Sequence, residues 1–304
     1  MNYPTRRRVR VLSRNHPMAL GGRGYGYGPG RPGGMAPFGP RNRSMGKVRL
    51  LIGLAVAVFS LISYAASKEY NPVTGEDQHI GIAKHQEIAL GQQSAPQMIQ
   101  EFGGLDPDPQ LQAVVDRVGE RIVRRSRAAD TEWEFDFHLL ADPQTINAFA
   151  LPGGQIFITD ALFDRLETEG QLAGVLGHEI GHVVARHSTQ RIAKENLRNG
   201  ITLAVVLGTD MDPRTADIAG QLISMKYGRE DELESDVLGV DFMSDAGYDP
   251  RAMIGVMEIL ASASGGERPP EFMSTHPNPE NRVGRIQAAI AAKFPNGVPG
   301  GLSP

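Results

Sequence analysis

At 304 residues the chain is long enough for one large domain or two small ones with a sizeable core. It contains no cysteine, so disulfides are excluded and any zinc must be held by His and carboxylate ligands. The formal net charge of −4 hides two unlike parts: residues 1–66 hold eleven of the 31 Lys and Arg and none of the 35 acids, which leaves −15 on the remaining 238 residues. A basic segment joined to an acidic one implies that the two meet different surroundings.

The chain opens with Arg-, Gly- and Pro-rich sequence, close to low complexity over Gly21–Gly34. It has too few apolar side chains to offset the entropy of ordering, so residues 1–47 are read as a disordered basic tail. Arg-Gly and Tyr-Gly pairs would suit RNA, but the stretch is short and no folded RNA-binding module follows. A charged tail beside anionic lipid head groups is preferred, and no nucleic-acid partner is expected. Leu50 to Ala66 carries no charge, and its 17 residues reach roughly 25 Å as a helix, near the lower limit for a bilayer. A cleaved signal peptide competes, with Ala65-Ala66-Ser67 as its cleavage region, but the basic stretch ahead is long for one. Residues 48–67 are therefore expected to be one uncleaved transmembrane anchor, with the N-terminus cytoplasmic and the rest of the chain outside.

Glu69–Gln78 reads as a polar linker, and Ile80–Phe102 as an amphipathic helix. Asp106-Pro107-Asp108-Pro109 starts the next helix, whose buried stripe is Leu111, Val114, Val115, Val118, Ile122 and Val123. Trp133–Leu140 alternates as a half-buried strand does, and His138 on its more polar face is read as a surface residue. Asn147–Leu151 and Gln155–Thr159 are two short strands joined by a Pro-Gly-Gly turn, and Asp160 caps a short helix through Leu166. A helix follows over Glu169–Gln190. Gly174, Gly177 and Gly181 inside it cost about 1 kcal/mol each relative to Ala, which close approach of another element would offset. Ile201–Gly208 is apolar but too short to span a membrane, and is expected to be a buried helix. Thr215–Tyr227, Arg229–Ala246 and Pro250–Ala263 are further helices, the last capped by Asp249 and stopped at Gly265-Gly266. Ser274–Pro279 is a rigid loop, Glu280–Phe294 a final helix, and residues 295–304 a loose tail.

The chemistry sits in His178-Glu179-Ile180-Gly181-His182. Two histidines four apart share one face of a helix, so two imidazole nitrogens can reach one metal ion, zinc being the usual occupant. Glu179 projects beside them and can take a proton from a water held there. The pattern also arises by chance on a solvated helix, but the apolar helical context and the ligand candidates that follow favour the metal. A third ligand is needed. Metzincins use a His six residues after the second one, where this chain has Ser188; His187 is one residue off and is read as a surface or structural histidine beside Arg186. The other solution is an acid on a later helix. Glu232 and Asp236 lie four apart on one face, so one could bind the metal while the other bonds the far nitrogen of a ligand His. Glu234 points elsewhere. Spacing alone leaves Glu232 open against a solvated acidic helix start.

Asn147-Ala148-Phe149-Ala150-Leu151-Pro152-Gly153-Gly154, the stretch Leu172–His187, Glu232–Asp236 and Ser274–Arg282, in that order, resemble the gluzincin family that includes the CAAX prenyl protease and the bacterial membrane protease HtpX. The similarity covers about Gln86 to Phe294 and is nearest to the family's single-domain branch, which acts outside the cytoplasm or in the mitochondrial inner membrane. The resemblance implies Glu232 as third zinc ligand and Asp236 as the acid behind a ligand His, with Ser235 where the family usually has Ala. It implies that Asn147, Ala148 and Phe149 belong to an edge strand that pairs an extended substrate. It places His276 near the metal, as a transition-state donor or a gate, with Arg282 a weaker candidate for holding its loop.

The expected protein is thus α+β: a mostly helical zincin-like domain with a small sheet over residues 68–294, preceded by one transmembrane helix. It is expected to be a zinc endopeptidase with one Zn2+ per chain held by His178, His182 and Glu232, with Glu179 and His276 catalytic. Protein or peptide substrates are implied, and misfolded envelope proteins are the class the resemblance suggests. A bacterial inner membrane with the domain outside is the expected location, ahead of the mitochondrial inner membrane. A proteolytically silent chaperone or binding protein on the same fold is the alternative, against which the intact site residues argue.

Overall fold

The site helix is sandwiched by others in a computed structural model that describes residues 43–209, 228–263, 270–276 and 281–304. Most of the expected basic tail, the expected helix at Thr215–Tyr227, the Gly265-Gly266 stop and Pro277–Pro279 lie outside the described residues. Helix α1 (Arg43–Ala66) contains a 22-residue run, Met45–Ala66, long and apolar enough to cross a membrane. Its Leu50, Leu54, Phe59 and Ile62 are exposed.

The expected linker is instead an antiparallel hairpin, β1 (Lys68–Asn71) with β2 (Glu76–His79), turning through Gly75 at φ 77°. Polar sequence concealed it because the buried side chains of Asn71 and Gln78 bond each other, and Asn71 also donates to the carbonyl of Val184. Helices α2 (Lys84–Glu101) and α3 (Pro109–Arg125) follow. Asp108 caps α3 by accepting from the Gln110 N–H at 2.8 Å, and Val115, Val118 and Ile122 are fully buried.

Strands β3 (Asp136–Leu140), β4 (Ala148–Ala150) and β5 (Gln155–Thr159) form one sheet in the order β3-β5-β4. β3 runs parallel to β5 and β4 antiparallel to it, so β4 is an edge strand. Helices α4 (Asp160–Phe163) and α5 (Glu169–Val184) come next, and α5 packs against α3, β4, α7 (Arg229–Asp245) and α8 (Ala252–Ala263). The expected helix through Gln190 breaks at Arg186, which adopts a left-handed φ of 58°, and α6 (His187–Gly208) restarts in a new direction. Ile201–Gly208 is not a separate buried helix: it is the far end of α6, lying against α1 with Leu203 and Leu207 exposed.

Ser274 and Thr275 end a short helix α9 (Glu271–Thr275) where a loop was expected, and α10 (Arg282–Lys293) packs on α7. Residues 295–304 are tied down where a loose tail was expected. Ser303 bonds Gly247 and Asp249, and the Pro304 carbonyl accepts from the Gly170 N–H in the first turn of α5.

Candidate metal centre

α5 is buried along nearly its whole length, which allows it to carry polar groups into the interior. Its glycines admit α7 at backbone contact. A Cβ on Gly181 would meet Ser235 Cα and O at 3.1 Å, and one on Gly177 would meet the Gly239 carbonyl at 3.3 Å. This closeness brings Glu232 and Asp236 of α7 onto the histidine face of α5.

Four donor atoms converge. His178 Nε2 lies 3.0 Å from His182 Nε2 and 3.5 Å from Glu232 Oε2, and His182 Nε2 lies 3.5 Å from Glu232 Oε1. His276 Nδ1 stands 3.1 Å from Glu232 Oε1 and 3.4 Å from His178 Nε2, its ring stacked on Phe272. Among the described residues His178, His182, Glu232 and His276 form a metal-competent group, all buried, with one ligand atom from each lying within 4.8 Å of the others. Lone-pair-bearing atoms gathered this closely in a dry interior suit a bound cation, and Glu232 Oε2 makes no hydrogen bond among the described residues. Two imidazoles, a carboxylate and no thiol suit zinc in a catalytic setting.

The surroundings set the charges. Burial pulls His178 down, but the Asp236 and Glu232 carboxylates more than offset it and push its pKa up to about 9. His182 is held well below the ordinary histidine range by burial and by its histidine neighbours. Glu232 is lowered because the bonds from His178 and His276 outweigh burial. Asp236 Oδ1 lies 3.0 Å from His178 Nδ1, and Arg282 donates to both Asp236 oxygens, from Nε at 2.7 Å and from Nη2 at 2.8 Å. Arg282 therefore anchors the acid behind His178; Pro277–Pro279 of the loop it was a candidate to hold lie outside the described residues. Glu179 is fully buried, its carboxylate raised chiefly by desolvation, and neither oxygen has a hydrogen-bond partner among the described residues.

At the edge strand, Thr159 N–H donates to the Asn147 carbonyl and Leu151 N–H to the Gln155 carbonyl. By the alternation of antiparallel pairs, Phe149 also spends its backbone groups on β5, so those of Ala148 and Ala150 point away from β5, to an edge that pairs with no strand among the described residues. Phe149 sends its ring to the opposite side, against Phe157 and Phe102.

Sequence reading missed two partnerships. His187, read as a surface or structural histidine, is buried, and its Nδ1 lies 2.9 Å from His182 Nδ1; Glu234, taken to point elsewhere, reaches His187 Nε2 at 2.9 Å. Buried Arg186 donates to Glu87 and pairs with Glu69, tying the end of α5 to α2 and β1. His138 bonds Gln155 and is not part of the metal group.

Helices flanking a small sheet, with a buried His-His-Glu group and a buried carboxylate beside it, are the arrangement of a metallopeptidase site. Residues 109–290 match peptidase family M48, and the chain belongs to that family as a metalloendopeptidase. It is similar to the mitochondrial metalloendopeptidase OMA1 of Schizosaccharomyces pombe, 31% identical over 237 residues, covering 74% of this chain and 67% of that protein. It is also similar to the beta-barrel assembly-enhancing protease of Escherichia coli K12, 30% identical over 233 residues, covering 73% of this chain and 47% of that one. The chain thus spans about half the length of the latter.

Proposed function

We propose that the chain is a zinc-dependent endopeptidase, anchored to a membrane by α1, that degrades misfolded or damaged proteins outside the cytoplasm. The observation that carries the reading is the convergence of His178, His182 and Glu232 beside the buried carboxylate of Glu179, which makes no hydrogen bond among the described residues. Those three would hold one zinc per chain. Bound there, zinc would bring a water's pKa toward about 7 and polarise the scissile carbonyl.

The chain's own residues supply the rest. Glu179, with a pKa raised by burial, takes the proton of the attacking water and hands it to the leaving amine. Asp236 fixes the Nδ1 proton of His178 so that Nε2 faces the metal, and Arg282 fixes Asp236. An extended substrate pairs with the free edge of β4 through the backbone of Ala148 and Ala150, while Asn147 and Phe149 hold that strand to β5. Backbone pairing accepts varied side chains, as a quality-control protease requires. His276 stands where a fourth ligand would, and four protein donors make a closed site. His276 acts as the gate: it withdraws for turnover, and once displaced it donates to the developing oxyanion.

Purified chain in detergent should cleave casein, lose that activity to a chelator and regain it with zinc. Glu179→Gln should keep its zinc and lose activity by about a hundredfold or more. Cleavage that survives both chelation and Glu179→Gln would overturn the assignment.

A further inference from the structure

His178 has a carboxylate behind it; His182 has another imidazole. We infer that His187 and Glu234 form a relay that orients His182 and fixes the proton on its Nδ1, making them positioning residues of the metal centre. The inference rests on the reading that His182 holds zinc through Nε2.

The proton bookkeeping admits one arrangement. A ligating Nε2 carries no proton, so the neutral ring of His182 keeps its proton on Nδ1. That N–H donates to His187 Nδ1 at 2.9 Å, which must then be bare. The His187 proton sits on Nε2 and donates to Glu234 Oε2, also at 2.9 Å. Ser235 Oγ lies 3.3 Å from the same His187 Nδ1. Each donor meets an acceptor, and the negative charge at the outer end favours the tautomer the metal needs.

The backbone is bent to build this relay. In an unbroken helix His187 would lie about 140° around from His182. The left-handed turn at Arg186 brings it back to the His182 ring, and Arg186 is held in that turn by its buried bonds to Glu87. His187 is fully buried, whereas the Glu234 side chain is 27% exposed, so the relay runs from the centre to the surface. A plain staple between α6 and α7 would explain the Glu234–His187 contact but not the His182 contact.

Zinc affinity decides, measured on the full chain in detergent by competition with a chromogenic chelator, beside the melting temperature of the zinc-free protein. Glu234→Gln should weaken zinc binding about tenfold, and His187→Phe about ten- to a hundredfold. The double variant should bind no more weakly than His187→Phe alone, since Glu234 acts through His187. If both single variants bind zinc as the wild type does and only their melting falls, the contact is a staple and the relay is wrong. Should His187→Phe fail to fold, Glu234→Gln decides alone, because its side chain reaches the surface. His182→Ala separates the two readings. If it loses zinc while Glu234→Gln does not, only the relay falls; if it keeps wild-type zinc, the proposed ligand set falls with it.

Discussion

His276 and His178 show how much the metal must overturn. His276 is fully buried, stacked on Phe272, and within reach of Glu232, His178 and Glu179. If it is the gate proposed above it should lower turnover while seated, and as an oxyanion donor it should contribute roughly 2.7–4 kcal/mol once displaced. If a substrate binds along β4 the donor role should dominate, so His276→Ala should keep zinc and lose casein cleavage by about a hundredfold. A short, loosely bound peptide should suffer less, because the gate is gone too; equal kinetics to wild type on both would place His276 outside the reaction. The proton on His178 supplies a pH test. With its pKa pushed up to about 9, zinc must displace that proton at any lower pH. The deprotonated ring is the ligand, so affinity falls as pH falls: between pH 7 and 9 it should rise about tenfold per unit and level off above. Chelator competition at several pH values reads this, and a flat profile would mean that His178 is already neutral. Glu232, lowered by the same neighbours, stays ionised throughout and adds no slope in that range.

The pairing of α5 with α7 turns a helical spacing into a three-dimensional site. His178 and His182 were legible because four residues make one helical turn, whatever surrounds them. Glu232 and Asp236 were legible as a pair for the same reason, but choosing among the acids of α7 needed the contact with α5, which no local rule encodes. The glycines of α5 marked only that some backbone comes close, since a helix accepts their cost there, and not which acid that approach delivers. The break at Arg186 was not encoded: a non-glycine residue in the left-handed region carries no compositional mark, and without the break His187 and Glu234 could not be joined to His182. The β1–β2 hairpin hid for a related reason, its buried groups being amides satisfied by one another. At Gly181 the fit leaves no room. Gly181→Leu would drive a side chain into Ser235 and force α7 outward, at about 1–3 kcal/mol, taking Glu232 away from the histidines. The variant should melt earlier and bind zinc more weakly, whereas Gly255→Ala in α8, away from the metal group, should leave zinc binding unchanged. Wild-type zinc affinity in Gly181→Leu would mean that the α5–α7 spacing is not what sets the site.

Across the whole molecule, the apolar helix α1 and the helices that carry the metal group are joined by packing as well as by sequence. α1 and α6 lie antiparallel. Arg49, near the basic end of α1, donates to the carbonyls of Leu207 and Thr209 at the end of α6, at 3.3 and 2.6 Å. Between them Gly53 fits so tightly that a Cβ there would come within 2.5 Å of the Ala204 carbonyl and 2.8 Å of Gly208 Cα. Ser60 of α1 is level with Gly200, so the polar half of α6 sits beside the C-terminal end of α1 and the apolar half beside its N-terminal end. If α1 crosses the bilayer, the last two turns of α6 share that bilayer, and the exposure of Leu203 and Leu207 becomes lipid contact. An eight-residue apolar run is too short to cross by itself, which is why it read as buried protein, but beside a spanning helix it need not cross alone. The absence of native cysteine makes the test clean, since any engineered cysteine is the only one in the chain. In proteoliposomes of the full chain, Leu203→Cys and Leu207→Cys should react slowly with a water-soluble maleimide, while exposed Lys194→Cys, two turns toward the catalytic unit, reacts fast. All three should label equally once the protein is unfolded in detergent. Rapid labelling of Leu203→Cys in intact proteoliposomes would put the end of α6 in water and remove α1 from the bilayer along the stretch that packs on it.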